Sequence, residues 1–359
     1  MSNNPDRSSP FIRLRNIAAS AAVVGLACGI YILAPHNGRQ IEYLYRVGDF
    51  VFKVREFLLV AGGLYVLALV AYYLGEPQPG ASKSLRFFAV LFAFLRSPFT
   101  VARNGLSGED RVAVLTTLLK MFFAPFMVMA LMAHVFGVLA NGWAIATGGD
   151  SDLGFVEIFN QHGFWFAMKL ILFVDVAFFT IGYLVEMPCL KNEIRSVDPT
   201  LLGWAAALLC YPPFNELTAT ILGSSVSDFP KFDDPLTHVT LNLLLLLLMA
   251  IYASASVALG LKASNLTHRG IVAHGPYAWV RHPAYTAKNM AWWIGSIPFV
   301  SLAFGQSIFA GVTAVASMLG WSLLYVLRAV TEEDHLRSVD DAYATYAAQV
   351  RYRFIPGIY

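Results

Sequence analysis

The chain alternates long apolar stretches with short polar segments, and eight of those stretches have the length of a membrane-spanning helix. A helix needs about 20 mostly apolar residues to cross the hydrocarbon core of a bilayer. The predicted spans are 17–34, 57–74, 121–140, 164–185, a fifth that is interrupted (201–211 and 214–223), 237–260, 284–303 and 308–327. Because lipid-facing backbone must satisfy its own hydrogen bonds, the pattern predicts an all-α, polytopic membrane protein.

Prolines predict distortions in two of these spans, and flanking arginines decide the interpretation of a further, shorter apolar segment. Pro212 and Pro213 remove two helical N–H donors and predict a break in the fifth span, and Pro125 predicts a kink in the third. The apolar segment 87–95 is too short to cross a membrane and is flanked by arginines. It predicts an interfacial helix, with a buried loop helix as the alternative.

Lysine and arginine positions predict the orientation, because cytoplasmic loops carry their excess. With both termini cytoplasmic, the inside segments hold 18 of the 25 basic residues. The segment 35–56 is the exception, since it carries four basic residues on the predicted outer side. We expect the protein to lie in a bacterial inner membrane or in the membrane of the endoplasmic reticulum.

Composition narrows the class further. The 359 residues are 57% hydrophobic and 13% charged, which excludes a soluble, disordered or coiled-coil protein. The net charge of +2 gives no basic surface for nucleic acid, so we expect no nucleic-acid partner. Cys28, Cys189 and Cys210 show neither CxxC spacing nor a histidine cluster, so we expect no metal and no disulfide framework.

Two polar clusters stand out from the apolar background. The segment 262–285 reads KASNLTHRGIVAHGPYAWVRHPAY, and the second cluster, after the eighth span, contains Arg328, Glu332, Glu333, Asp334 and His335. Each has a simple alternative: a positive-inside anchoring loop for the first, and a solvated helix start for the second. Together they favour a ligand site.

Four features carry a resemblance to a known group of enzymes. They are GPYAWVRHPAY at 275–285, the two-span hairpin, the Glu332-Glu333 pair and a tail of the form YxxYxxxVxYRxxP at 343–356. Over about the last hundred residues the chain resembles the isoprenylcysteine carboxyl methyltransferase and phospholipid methyltransferase superfamily. The resemblance implies S-adenosylmethionine as cofactor and a C-terminal, cytosol-facing cofactor cap. It divides the chain into N-terminal membrane helices at 1–236, with no assigned role, and a methyltransferase-like module at 237–359.

The resemblance also implies roles for single residues. The predicted cofactor-binding residues are Gly270, Ile271, Val272, Gly275, Tyr277, Arg281, His282, Pro283, Tyr285, Glu332 and Glu333. Glu333, or its neighbours Glu332 and Asp334, matches the acidic position that would hold the cofactor's amino group, and Arg328 matches the arginine that faces the substrate carboxylate. Arg269 stands where a histidine is common. Arg328 and His282 are the predicted catalytic residues.

The chemistry of methyl transfer agrees with this residue set. S-adenosylmethionine carries a sulfonium, a zwitterionic amino-acid end and an adenine ring, so carboxylate, cationic and aromatic groups suit it. Transfer to an activated carbon needs alignment and exclusion of water, and requires no metal or covalent nucleophile. A carboxylate acceptor needs no base, whereas a phenol or amine would need His282 or an acidic neighbour. We expect the partners to be the lipid bilayer and a lipophilic small molecule or lipidated acceptor.

Isolated polar residues within spans leave alternatives open. Asp175 lies at mid-span, where it either lines the acceptor cavity or is neutralised by Lys169 or Lys288. The group Asn215, Glu216 and Thr218 either lines a cavity at the helix break or satisfies the broken backbone.

Two other functions compete with the methyltransferase. Sterol-type reductases share an RHPxY hairpin and use NADPH, but here Thr-Ala-Lys-Asn follows Tyr285 instead of Leu-Gly-Asp. A transporter or channel would use the broken fifth span and Asp175 as a midplane site, but it leaves both polar clusters unexplained.

Overall fold

The computed structural model describes residues 10–47, 50–76, 80–147, 154–223 and 226–358. Helices account for most of this part of the chain. The α-helices are α1 (Pro10–Leu33), α2 (Gly38–Ile41), α3 (Val54–Gly75), α4 (Lys83–Arg96), α5 (Pro98–Asn104), α6 (Gly108–Ala146), α7 (Phe155–Ile158), α8 (Phe164–Leu184), α9 (Leu201–Leu208), α10 (Phe214–Leu222), α11 (Pro235–Leu259), α12 (Pro283–Gln306), α13 (Ile308–Val339) and α14 (Ala342–Gln349). A π-helical turn at Phe159–Gly163 joins α7 to α8.

Strands in the described residues are short and form two antiparallel pairs. Strand β1 (Leu44–Val47) pairs with β2 (Phe50–Lys53). Strand β3 (Ser196–Val197) pairs with β4 (Thr267–His268), with Ser196 opposite His268. The second pair ties the loop after α8 to the loop before α12.

Among the described residues, six helical segments are long and apolar enough to cross a membrane, and the bent pair α4 and α5 would make a seventh. The polytopic all-α prediction is therefore confirmed, with fewer such helices than the eight predicted spans. The predicted span 284–303 corresponds to α12, which is 24 residues long but is not one of the six, since Lys288, Asn289 and Gln306 lower its hydropathy. The fifth predicted span consists of two short helices, α9 and α10, on either side of Pro212-Pro213.

The segment 87–95 lies within α4, which turns by 118° into α5. Pro125 lies inside α6, and the helix continues through it.

The chain forms two compact units, Met1–Ala130 and Leu131–Tyr359, and their boundary lies inside α6. The sequence-based division at 236/237 follows expected function instead of packing, and it stays a prediction. In the first unit α1 packs against α3 and α4. The fully buried Asn16 donates to the Gly80 carbonyl at 2.8 Å and accepts from the Ser82 N–H at 2.9 Å, which fixes α1 to the start of α4.

In the second unit α11 packs against α8 and α12, and α12 packs against α13. The core between them is apolar and includes Phe164 and Met168 of α8, Leu245 and Met249 of α11, and Ala291 of α12. Helices α9 and α10 lie against α13. The second unit thereby surrounds the C-terminal part of α13 with helices and loops.

Helix α13 is longer than predicted. It begins after Ser307, whose hydroxyl accepts from the Ala310 N–H at 3.0 Å, and it continues to Val339 instead of ending at 327. Arg328, Glu332 and Glu333 therefore lie within the helix and not after it. The alternative of a solvated helix start for this cluster is wrong, because the cluster occupies the last turns of a continuous helix.

Candidate functional site

A buried carboxylate organises the end of α13. Glu333 has no exposed surface, and its oxygens accept from Arg281 Nε at 2.9 Å, His282 Nε2 at 3.0 Å, Arg337 Nη2 at 2.8 Å and Arg353 Nε at 2.9 Å. We call these five residues the Glu333 cluster. A buried charge is tolerated only when it is paired and hydrogen-bonded, and here four residues donate to a single carboxylate.

The Glu333 cluster joins the loop before α12 to the C-terminal tail. Arg281 also donates through Nη1 to the carbonyls of Val350 and Arg351, at 2.9 and 2.7 Å. The backbone N–H groups of Arg281 and His282 donate to the carbonyls of Tyr352 and Arg353. The RHP segment is therefore fixed by the tail on one side and by α13 on the other.

A cavity lies beside this cluster, within the unit 131–359. Its walls come from α8, α9, α11, α12, α13 and the loop around residue 265. Of the predicted residues, Tyr277, His282, Tyr285, Arg328 and Glu332 line it. Gly270, Ile271, Val272, Gly275, Arg281, Pro283 and Glu333 do not line it.

Three side chains mark the end of the cavity nearest the Glu333 cluster. The Tyr285 hydroxyl donates to Glu332 Oε2 at 2.8 Å. The His282 ring stacks on the Tyr285 ring, with centroids 5.3 Å apart and planes 9° apart. His282 Nε2 also donates a hydrogen bond to Glu333, so this histidine belongs both to the Glu333 cluster and to the end of the cavity. An exposed carboxylate, Glu332, therefore stands next to a rigid pair of rings.

Arg328 lies one helical turn before Glu332 on α13. It is 7% exposed, and its Nη2 donates to the Asn265 side-chain oxygen. Its guanidinium carbon lies 5.1 Å from the Tyr285 ring centroid and 5.5 Å from that of Tyr211. Rings around a guanidinium stabilise its charge where water is scarce. The structure thus presents a buried cation on the cavity wall.

Asn265 positions Arg328 and is itself held by tyrosines. Its side-chain amide donates to the Tyr183 hydroxyl at 2.8 Å and to the Tyr211 hydroxyl at 3.3 Å. The loop that carries it lies directly against α8, because a Cβ on Gly182 would fall 1.9 Å from the Ala263 carbonyl oxygen. Gly182 is therefore needed for the close approach that brings Asn265 to the cavity.

Arg269, which stands where the resemblance implies histidine, makes hydrogen bonds to backbone carbonyls. It is 3% exposed, and its Nη1 and Nη2 donate to the carbonyls of Asn192 and Gly182 at 2.8 and 2.7 Å. Burial lowers the pKa of its guanidinium, and the nearby Glu186 opposes that shift. Gly270, next in the chain, has φ +96°, a backbone conformation that favours glycine.

The loop tyrosine Tyr277 is kept neutral by its surroundings. Burial raises its pKa above the ordinary value, and the nearby Glu332 acts in the same direction. Its carbonyl accepts from the Tyr346 hydroxyl at 2.9 Å. The Tyr277 phenol therefore stays protonated at neutral pH, and the backbone of the same residue is fixed by Tyr346.

The mid-span polar residues have local partners. Asp175 is 4% exposed and accepts from the hydroxyls of Tyr252, at 2.9 Å, and Ser256. Neither Lys169 nor Lys288 forms an ion pair with it among the described residues. At the helix break, the Thr218 hydroxyl donates to the Leu209 carbonyl at 2.9 Å, so this residue satisfies the broken backbone.

Several cavity residues were not found from the sequence. They are Asn265, Tyr211, Tyr252 and Tyr325, together with Lys288 as a wall residue of the cavity. Tyr325 lies three residues before Arg328 and seven before Glu332, so helical spacing predicts that the three share a face. Asn265, Tyr211 and Tyr252 come from other elements, and only tertiary packing brings them together. No group of metal-ligating side chains occurs in the described residues.

Comparison with known proteins supports the sequence resemblance. Residues 237–338 match the model of the isoprenylcysteine carboxyl methyltransferase (ICMT) family. That range runs from α11 into α13 and contains Tyr285, Arg328 and Glu332. No curated protein and no solved structure matches the chain. The predicted relationship is thus confirmed for the C-terminal part of the chain, and it supports an integral membrane methyltransferase.

Proposed function

We propose that this protein is an S-adenosylmethionine-dependent methyltransferase that acts on a lipid-like or lipidated acceptor. The observation that supports it most directly is the convergence of Glu332, Tyr285 and Arg328 on one cavity within the segment that matches the family. A carboxylate and aromatic rings suit the ammonium and sulfonium groups of the cofactor, and a buried cation suits an acidic acceptor.

The donor set of the cavity fits this cofactor. Glu332 is available for the amino group, since one of its oxygens accepts from Tyr285 and its side chain is exposed to the cavity. The rings of His282 and Tyr285 offer a flat apolar surface. When bound, the cofactor supplies a methyl group that is already activated for displacement. The protein's part is to orient the acceptor and to exclude water.

Glu333 acts through other residues in this proposal. Its carboxylate is already occupied by the guanidinium and imidazole donors of its cluster, and it does not line the cavity. We assign it a positioning role: it holds Arg281 and His282 so that Tyr285 meets Glu332. Direct contact of Glu333 with a cofactor stays a prediction.

His282 has a restricted acid–base role. Its Nε2 lies 3.0 Å from an ionised carboxylate, which assigns a proton to that nitrogen. His282 therefore serves first to orient the Tyr285 ring. Arg328 remains the proposed contact for an acidic acceptor.

The site also suits an acceptor that arrives through the bilayer. Helices α11, α12 and α13 wall the cavity, and α11 and α13 are long and apolar enough to span a membrane. An apolar tail would lie between helices while the polar head meets a water-soluble cofactor at the predicted cytoplasmic end.

Calorimetric titration of the detergent-purified protein tests the proposal. S-adenosylhomocysteine should bind in the micromolar range, and Glu332→Gln should weaken binding about tenfold. Asp334→Asn is the matched control, because it makes the same charge change at a neighbouring exposed residue. NADPH binding without adenosyl binding would favour the reductase instead, and binding of neither compound would contradict the proposal.

A further inference from the structure

We propose that Tyr252 and Asp175 form a proton-accepting pair on the cavity wall, and that the acceptor of the methyl group is therefore a lipophilic phenol. This inference rests on the proposed function, because it names a substrate class for the same cavity. It departs from the chemistry of a carboxyl methyltransferase, since a carboxylate needs no base for methylation whereas a phenol does.

The pair connects the cavity to a buried carboxylate. Tyr252 of α11 lines the cavity, whereas Asp175 of α8 is buried and does not line it. The Tyr252 hydroxyl donates to Asp175 Oδ2 at 2.9 Å, and the Ser256 hydroxyl donates to Asp175 Oδ1. A hydroxyl on each oxygen is the pattern of an ionised carboxylate, which accepts through both oxygens.

Tyr252 is the better proton relay of the two hydroxyl residues. A phenol oxygen that donates to Asp175 can also accept a hydrogen bond from a ligand in the cavity. A phenol is a stronger acid than the aliphatic alcohol of Ser256, so it passes its own proton to a carboxylate more readily. The geometry thus provides a path from the cavity, through Tyr252, to Asp175.

Three other candidate bases on the cavity wall have assigned contacts. His282 Nε2 donates to Glu333. Asp198 accepts from the N–H and the hydroxyl of Thr200, at 2.8 and 2.7 Å, at the start of α9. Glu332 is the proposed contact for the amino group of the cofactor. The pair formed by α8 and α11 is therefore the base candidate with no other task in the proposed reaction.

Cations beside the pair suit a phenol that loses its proton. Lys288 Nζ lies 5.5 Å from the Tyr252 ring centroid and donates a hydrogen bond to the Tyr325 hydroxyl. The Arg328 guanidinium carbon lies 6.0 Å from the same Tyr325 ring. Positive charge near a phenol oxygen stabilises its anionic form, so both cations favour deprotonation of a phenol in the cavity.

The same charges disfavour other acceptors. A carboxylate that reached the Tyr252 oxygen would stand one hydroxyl away from the Asp175 carboxylate, and like charges repel at that range. An alkyl amine enters as an ammonium ion at neutral pH, carries no lone pair for the methyl group and meets the charge of Lys288. An aliphatic alcohol is too weak an acid for a carboxylate base. A phenol enters neutral and can still be deprotonated.

The proposed step balances in atoms and charge. The phenol oxygen forms a bond to the methyl carbon through a lone pair, and the bond between that carbon and sulfur breaks with its electron pair on sulfur. The phenol O–H proton passes to the Tyr252 oxygen, while the Tyr252 proton passes to Asp175 Oδ2. One sulfonium cation and one carboxylate anion are thereby converted into a neutral thioether, an aryl methyl ether and a carboxylic acid. Loss of both charges is favourable in a site with little water.

Binding in the absence of cofactor tests the pair first. The probes are para-octylphenol and its methyl ether, para-octylanisole, measured by calorimetry with purified protein in phosphatidylcholine nanodiscs. The wild-type protein should bind the phenol about tenfold more tightly than the ether, because only the phenol donates a hydrogen bond to Tyr252. Tyr252→Phe should lose this preference. Its S-adenosylhomocysteine affinity should stay within about twofold of wild type, and thermal melting verifies that it is folded.

Tyr73→Phe is the matched control, because the Tyr73 hydroxyl also lies near a hydroxyl of a neighbouring helix, that of Ser20 at 3.3 Å, but does not line the cavity. It should keep the wild-type preference for the phenol. Equal wild-type binding of phenol and ether would overturn the inference, as would an unchanged preference in folded Tyr252→Phe.

Turnover with two phenols separates a proton acceptor from a merely structural residue. At about pH 8.5 para-octylphenol is mostly neutral, since a phenol has an ordinary pKa of about 10, whereas the same compound with a nitro group ortho to the hydroxyl is mostly ionised. With the neutral phenol, Tyr252→Phe and Asp175→Asn should each lower kcat about hundredfold. With the nitro compound the loss should be less than about threefold, because no proton has to be removed.

Equal losses with both phenols would assign the pair a structural role and overturn the inference. Tyr252→Phe decides this comparison alone if Asp175→Asn is not folded.

Dodecanoate as a second acceptor separates this inference from the proposed function. A higher kcat/KM for methyl transfer to dodecanoate than to para-octylphenol would overturn the phenol assignment and leave the methyltransferase proposal standing. Binding of S-adenosylhomocysteine without transfer to para-octylphenol would do the same. If the protein neither binds S-adenosylhomocysteine nor transfers a methyl group, the proposed function fails and this inference fails with it.

Discussion

The Tyr285 hydroxyl and Glu332 Oε2, 2.8 Å apart, join α12 to α13 at the outer end of the cavity. The bond leaves one carboxylate oxygen for a ligand and keeps the Tyr285 ring stacked on His282. Two residues 47 positions apart in the chain thereby form one binding surface.

Removing this hydroxyl tests whether the pair is a binding element. Tyr285→Phe should weaken S-adenosylhomocysteine binding about three- to tenfold, because Glu332 loses its fixed orientation while the ring stack remains. Calorimetry measures the affinity, and thermal melting should show little change. Tyr352→Phe is the control, since Tyr352 is an exposed tyrosine that does not line the cavity. An affinity equal to wild type would show that the pair has no part in the site.

Glu333 should matter more for stability than any other carboxylate of its segment. Glu333→Ala removes the carboxylate that pairs with Arg281, His282 and Arg353, and leaves the largely buried Arg281 guanidinium without this counter-charge. We expect a loss of about 3–5 kcal/mol in the free energy of unfolding, observed as a much lower melting temperature in detergent.

The control for that variant is Asp334→Ala. Asp334 is the next residue, its side chain is 66% exposed, and its contact with Arg337 is 3.5 Å long. Its removal should cost less than about 0.5 kcal/mol. Similar melting temperatures for the two alanine variants would contradict the positioning role of Glu333.

Arg269 provides a prediction about the loop that carries Asn265. Arg269→Lys keeps the charge but cannot donate simultaneously to the carbonyls of Gly182 and Asn192, which a planar guanidinium reaches with two nitrogens. We expect a loss of about 1–3 kcal/mol in stability. The exposed Arg351→Lys should be neutral by the same melting assay. Equal stability of both variants would show that the carbonyl contacts are dispensable.

The sequence predicted the membrane class, the residues of the RHP segment and the acidic pair, because apolar runs and short motifs are local properties of the chain. It named Glu333 first for the acidic position, with Glu332 and Asp334 as alternatives, whereas Glu332 is the residue that lines the cavity. Adjacent residues on a helix point about 100° apart, so one faces the cavity and the other faces the arginines. That assignment depends on which elements pack on each side of α13, and Arg353 of the tail is one of those contacts.

Part of the cavity wall could not be predicted from the sequence for the same reason. Asn265, Tyr211 and Tyr252 come from a loop, a helix break and α11, and no spacing rule connects them. The length of α13 was also underestimated, because charged residues lower hydropathy even when a helix continues through them. The sequence does not show the partners of these charged residues, and hydropathy alone therefore places the end of the helix at the end of the apolar run.

Acidification should destabilise the protein partly through His268. This residue is 3% exposed, and its Nε2 lies 3.0 Å from Asp340 Oδ2. Burial lowers the pKa of its imidazole below the ordinary value of about 6.5, although Asp340 opposes the shift. The unfolded chain then takes up the proton more readily than the folded one, so stability is lost as pH falls below about 6.5 toward the lowered pKa. His268→Gln should show a shallower fall in melting temperature between about pH 7 and 5. An identical pH profile would contradict this assignment.

The most direct test of the methyltransferase proposal is transfer of a labelled methyl group. Membranes containing the protein are incubated with S-adenosylmethionine that carries a tritiated methyl, and the lipids are extracted into organic solvent. We predict radioactivity in the organic phase that requires the protein, falls about tenfold or more with Glu332→Gln, and is retained with Asp334→Asn. Label at background level in the wild-type extract, or equal label with Glu332→Gln, would contradict a methyltransferase that uses this cavity.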